Sequence, residues 1–131
     1  MIRDNSSYDS EYSGGLLVIR IKGEIDHHSA VGMRQGIDAE IVERRPEKLI
    51  MDLSSVNFMD SSGLGLILGR YSAVRQVGGE LVVVNPNKGV MKILKLAGTE
   101  RIIKIEMIEN SAGAGTKNKE KLSAKPKGRR K

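Results

Sequence analysis

Residues 49–84 read LIMDLSSVNFMDSSGLGLILGRYSAVRQVGGELVVV, and this stretch decides the fold. Leu49-Ile50-Met51-Asp52-Leu53 is nearly continuous apolar sequence, the pattern of a central strand covered on both faces. From Ser61 to about Val77, the apolar set Leu64, Ile67, Leu68, Tyr71, Val74 and Val77 recurs at spacings of three and four, which predicts a helix with one buried stripe. Gly78-Gly79 ends it in the manner of a glycine just past a helix C-terminus. Leu81-Val82-Val83-Val84 then reads as another buried strand. Two strands joined by a helix pair in parallel through a crossover, so the class is α/β.

The same unit repeats outward. Upstream, Leu16 to Lys22 alternates, with Leu17, Ile19 and Ile21 on one face and Arg20 and Lys22 on the other, which predicts a strand. A helix is predicted from about Ser29 to Arg44 on the apolar positions Val31, Met33, Ile37, Ile41 and Val42, and Pro46 follows its end. A weak strand near residues 6–12 joins the Leu16 strand through Gly14-Gly15, which supply the positive φ values of a tight hairpin. Downstream, Pro86 is placed to open a helix through Ala97 with Val90, Ile93, Leu94 and Ala97 inward and Gly98 as its stop, and Arg101 to Met107 reads as a last strand. The expected order is β-β-α-β-α-β-α-β, a single α/β domain with a mostly parallel central sheet and an N-terminal hairpin strand. Residues 1–15 form its N-terminal segment, with the weak edge strand and the hairpin turn, and 16–109 its body.

The 131 residues suit one core. With no cysteine there is neither a disulfide framework nor a thiolate metal site, and no apolar run approaches a membrane span or a signal peptide, so a cytoplasmic protein is expected. The net charge of +6 is unevenly spread: eight Lys/Arg and only one acid, Glu120, lie between Asn110 and Lys131, which leaves the body near neutral. Residues 110–131, rich in Gly, Ala, Ser and Lys, are expected to be a disordered basic tail. The tail could engage RNA or an anionic membrane, but it lacks interleaved aromatics, and direct DNA binding is not expected.

Asp60, Ser61 and Ser62 fall around the N-cap of the predicted 61–77 helix, where unpaired N–H groups and the helix dipole welcome an anion. On these residues alone, capping is the better explanation of the serines, because capping serines far outnumber modified ones. Other chemistries fare poorly. No Gly-x-Ser-x-Gly elbow frames Ser61 for a hydrolytic triad with His27 or His28, so no catalytic residue is expected. His27 and His28 are adjacent and do not share a helix face as zinc ligands would, and they read as the start of a helix capped by Asp26 or Ser29. Gly63, Gly65 and Gly69 have neither dinucleotide nor P-loop spacing, so no cofactor is expected.

Asp60-Ser61-Ser62-Gly63-Leu64-Gly65, extended by Leu66-Ile67-Leu68-Gly69-Arg70-Tyr71, resembles the signature of bacterial STAS-domain anti-sigma factor antagonists. Gly23-Glu24-Ile25-Asp26-His27-His28-Ser29-Ala30 is similar to the sporulation branch of that family, which regulates sigma F. The resemblance covers about residues 16–109 and implies that Ser61 is phosphorylated by the anti-sigma factor, a GHKL-type serine kinase. It also implies that a metal-dependent phosphatase restores the hydroxyl and that the unphosphorylated form frees the sigma factor. This chain would be the substrate and not an enzyme. The implied partner surface includes Asp60, Ser61, Ser62 and Gly63, with Asp26 beside them as a candidate for pairing with a partner arginine. The alternative is a sensory or scaffolding STAS domain that binds a small ligand. The departure from the family is the Lys-rich tail, which stands where a short terminal helix is common.

Overall fold

The computed structural model describes residues 7–109; the expected tail and the first six residues lie outside them. In chain order the elements are β1 (Ser7–Ser13), β2 (Leu16–Ile25), α1 (His27–Arg44), β3 (Lys48–Met59), α2 (Ser61–Gln76), β4 (Glu80–Val84), α3 (Lys88–Leu96), a single 3₁₀ turn (Thr99–Arg101) and β5 (Lys104–Glu106). The sheet runs β1-β2-β3-β4-β5, antiparallel between β1 and β2 and parallel thereafter. Each crossover advances one strand in the same direction. Right-handed crossovers of that kind put every helix on the same face.

The core follows from this layout. Leu17, Ile19 and Ile21 of β2, Leu49, Met51 and Leu53 of β3, and Leu81 and Val83 of β4 are buried under Met33, Ile37 and Ile41 of α1, Leu66, Ile67 and Val74 of α2, and Val90 and Leu94 of α3. The other face of the sheet holds a smaller cluster of Val18, Ile50, Val82 and Val84, with Leu16 and Ile108 against it. β3 is therefore apolar on both faces, as its sequence predicts.

The edge strand β1 has few apolar residues and is held by α1. The Tyr8 hydroxyl sits where a side chain on Gly36 would be, Ser10 Oγ donates to Glu40 Oε2 at 2.7 Å, and the Arg44 guanidinium lies 4.8 Å from the Tyr12 ring centroid. Gly14 and Gly15, at φ 53° and 88°, make the expected turn.

Four details depart from the sequence reading. Helix α1 starts two residues earlier than expected, and its Val31 and Val42 are exposed. Pro86 precedes the α3 N-cap, Asn87, and does not occupy the first turn, while Ala97 points to solvent. The last strand shrinks to three residues because the 3₁₀ turn takes its start. The largest change is in β3, which does not stop with the apolar run at Leu53 but continues through Ser54–Met59. Its register against β2 shifts twice, between Arg20 and Lys22 and between Gly23 and Glu24, so β3 carries an extra residue at each bulge. Its buried positions Leu53, Val56 and Met59 are consequently three apart, a spacing that hides a strand from an alternation test.

The α2 stripe also contains an unexpected member. Arg70 is only 5% exposed and its Nε lies 2.9 Å from Asp38 Oδ1 of α1, tying the two helices together. The contact is close but poorly aligned for a hydrogen bond, and Nη1 is buried without a partner. Burial lowers the Arg70 pKa, Asp38 raises it and Arg34 lowers it again. Removing one member of a buried pair is costly, whereas replacing the buried charge by an apolar group of similar volume is often neutral. Because the Asp38 side chain is 41% exposed, we expect Asp38→Ala to cost about 1–2 kcal/mol, below the range for fully buried pairs. Arg70→Met combined with Asp38→Ala should recover most of that loss. Urea unfolding of the two single variants and the double variant measures the coupling.

Candidate functional site

Strands β2 and β3 run parallel to their last residues, with Ile25 opposite Met59. The next residue of each strand, Asp26 and Asp60, is a helix N-cap in extended conformation. The Asp60 amide donates to the Ile25 carbonyl at 3.2 Å, which locks the two caps side by side. The starts of α1 and α2 thus share one edge of the sheet, and each brings the partial positive charge of a helix N-terminus to it.

The capping work falls on the two aspartates. Asp26 Oδ1 accepts from the Ser29 amide at 3.0 Å, and the Asp26 amide donates to Ser29 Oγ at 3.1 Å, a reciprocal capping box. The Ser29 amide bond holds the Asp26 carboxyl below its ordinary range, with the Ser29 hydroxyl and His28 adding to the effect and burial opposing it. Asp60 Oδ1 accepts from the Ser62 amide at 2.8 Å, while the Asp60 carbonyl accepts from Gly63 at 3.0 Å and Leu64 at 3.3 Å.

Ser61 is therefore the first helical residue and not the cap. It is exposed, and among the described residues its hydroxyl makes no hydrogen bond. No acidic side chain occupies the first turn of α2. Ser62 is half-buried, and Gly63 is buried beneath it. A Cβ on Gly63 would stand 2.1 Å from Met59 Cγ and 3.2 Å from Ile25 Cγ2. Met59 is 1% exposed and has nowhere to swing, so the helix can settle on the strand ends only with glycine at this position.

The structure thus brings Asp26, Asp60, Ser61, Ser62 and Gly63 to one edge. Asp26 turns out to be a structural cap there, a role that any pairing with a partner would have to share. Phe58 was missed by the sequence reading. It lies opposite Glu24 in the ladder, two residues before Asp60, and is 52% exposed. The signal available was a lone aromatic in a polar run beside the serines. His27, His28 and Val31 are exposed at the start of α1 on the same edge. Among the described residues no group of three or more potential metal ligands occurs, and no helix is long and apolar enough to cross a membrane.

Comparison with known proteins gives a consistent picture. The STAS domain family matches residues 7–112. The anti-sigma F factor antagonist of Paenibacillus polymyxa is 40% identical over 101 residues, which are 77% of this chain and 86% of that one. The solved structure of the anti-sigma factor antagonist SpoIIAA in its unphosphorylated form is similar with a TM-score of 0.73 at 28% identity, over 93% of this chain and 97% of that one. The Bacillus cell fate determinant SpoIIAA in its phosphorylated form has a TM-score of 0.64 at 28% identity, over 85% and 97%.

Three outcomes follow from the site geometry. Asp60→Ala should cost about 1 kcal/mol through loss of the cap, and Gly63→Ala about 1–3 kcal/mol through overpacking against Met59, both measured by denaturant unfolding. With its pKa depressed in the fold, Asp26 stabilises the protein above the ordinary carboxylate value of about 4, and the contribution fades as pH falls through the folded value. Asp26→Asn keeps a competent cap, so its stability near pH 7 should be close to that of the parent while the loss of stability below about pH 4 becomes shallower. Thermal melts across that pH range check the sign.

Proposed function

The chain belongs to the STAS-domain family, and from that premise we propose that it is an anti-sigma factor antagonist switched by phosphorylation of Ser61. In this reading the unphosphorylated form binds an anti-sigma factor that is also a GHKL-type serine kinase, and so frees its sigma factor. Sigma F of sporulation is the proposed target, on the similarity to the Paenibacillus anti-sigma F factor antagonist. Phosphate on Ser61 ends binding, and a metal-dependent phosphatase restores it.

One observation carries the reading. Asp60 satisfies the helix start, which leaves the exposed Ser61 hydroxyl with no structural task. A serine consumed as a cap would lose that bond on phosphorylation, and the helix would fray. Here a phosphate adds about −1.5 to −2 charges at a helix N-terminus whose dipole favours an anion, and it breaks none of the capping bonds, so the helix tolerates it. The change is felt at the surface. A partner shaped to the unmodified hydroxyl meets added bulk and a dianion that its contact surface has no group placed to neutralise. Phe58, half-exposed at the end of β3 three residues before Ser61, offers an apolar contact for a partner at this edge.

Incubation with the cognate anti-sigma factor and ATP, followed by intact mass and fragment mapping, tests the assignment. We expect a single phosphate on Ser61, none in Ser61→Ala, and normal phosphorylation of Ser62→Ala. Ser61→Asp should bind the anti-sigma factor at least tenfold more weakly with an unchanged melt, and Phe58→Ala should lose about 1–2 kcal/mol of binding. Phosphate mapped to another residue, or tight binding by Ser61→Asp, would overturn the reading.

A further inference from the structure

Helix α3 presents a second surface that the switch reading does not use. Its inner side, Val90 and Leu94, is buried in the core. Its outer side repeats at helical spacing as Lys88, Met91, Lys92, Lys95 and Leu96, with the three lysines exposed. With Pro86 and with Met107 just after β5, this stripe lines an open groove of about 540 Å³ in which every charged residue is a lysine. Leu96 is 79% and Met107 64% exposed, so apolar side chains stand in water beside cationic ones.

We propose that this face docks on an anionic lipid bilayer, with Met91, Leu96 and Met107 entering the headgroup boundary and Lys88, Lys92 and Lys95 meeting lipid phosphates. Two separate features favour this occupant. First, the rim is lysine, a residue depleted at protein interfaces, and the groove has none of the Trp, Tyr or Arg that anchor them. Lysines over an apolar stripe are the pattern of helices that lie on membranes. Second, the sequence leaving this face at Met107 runs into residues 110–131, which hold eight Lys/Arg against one acid. A polybasic segment adds the second signal that a shallow apolar anchor needs for stable attachment, and its attraction requires no fixed geometry. The same segment has no aromatic residue on which bases could stack.

The proposal stands independently of the switch and predicts that the chain binds membranes whether or not Ser61 is modified. The test is cosedimentation of the full chain with phosphatidylcholine vesicles, with and without phosphatidylglycerol, over a salt series. Binding to the anionic vesicles alone, weakening with salt, is expected. Lys88→Gln with Lys92→Gln and Lys95→Gln should reduce it at least tenfold. Leu96→Gln with Met107→Gln should also reduce it severalfold with the charge unchanged. All five positions are exposed and glutamine is a good helix former, so the melts should stay near that of the parent. Anionic binding untouched by both variant sets would assign the effect to the basic segment alone and overturn the proposal. Equal binding to neutral vesicles, tighter binding to single-stranded RNA than to vesicles, or a self-associated state abolished by the lysine variants would overturn it as well.

Discussion

Parallel pairing of β2 with β3, carried to Ile25 opposite Met59, is the constraint on which the rest of the molecule depends. Parallel strands must be joined by a crossover, so α1 starts after β2 and α2 after β3 at the same sheet edge. Because the strands end level, so do the helices, and the bond from the Asp60 amide to the Ile25 carbonyl holds the level. Binding sites in α/β sheets lie beyond the carboxyl ends of the strands for this reason. Here it gathers two carboxylates and two serines at one edge, with the exposed Phe58 close by at the end of β3.

That surface is economical in its division of labour. The aspartates take the hydrogen bonds that the helix starts require, with the Ser29 hydroxyl closing the box at α1. Gly63 removes the one side chain that would lift α2 off the strands. Ser61 is thereby presented on a rigid helix start while taking no part in holding it, an arrangement suited to a residue whose chemistry changes while the fold persists. The third helix follows the same rule. Asn87 caps α3 by accepting from the Val90 amide at 2.8 Å, and its side-chain nitrogen donates to the Val56 carbonyl of β3 at 3.0 Å.

Elsewhere the fold accepts local costs. Among the described residues, a guanidinium is buried between α1 and α2 with one nitrogen unpaired, and the Thr99 hydroxyl is buried without a hydrogen-bond partner. Such groups weaken a small domain, but a charged pair between two helices also disfavours their sliding past one another. Helix α3 packs on the same face of the sheet as α1 and α2, so the Ser61 edge and the basic groove belong to one helical layer.

The sequence by itself determined the class and the order of elements and marked the candidate site, because these rest on local signals. Helical spacing in residues 64–77, continuous apolar runs at 49–53 and 81–84, and the Gly14-Gly15 turn each reflect a preference expressed within a few residues. The Asp60-Ser61-Ser62-Gly63 motif was legible by resemblance, but its residues alone left open which of them caps the helix. That choice is tertiary. Only the packed chain assigns the cap to Asp60, because the choice depends on where the end of β3 stands beside β2. The bulged half of β3 was equally hidden, since two extra residues move its buried positions from every second to every third, and only the partner strand determines where the extra residues fall. Arg70 was hidden for a related reason. A charge within an apolar stripe reads as solvent-facing until a neighbouring helix brings Asp38 to meet it.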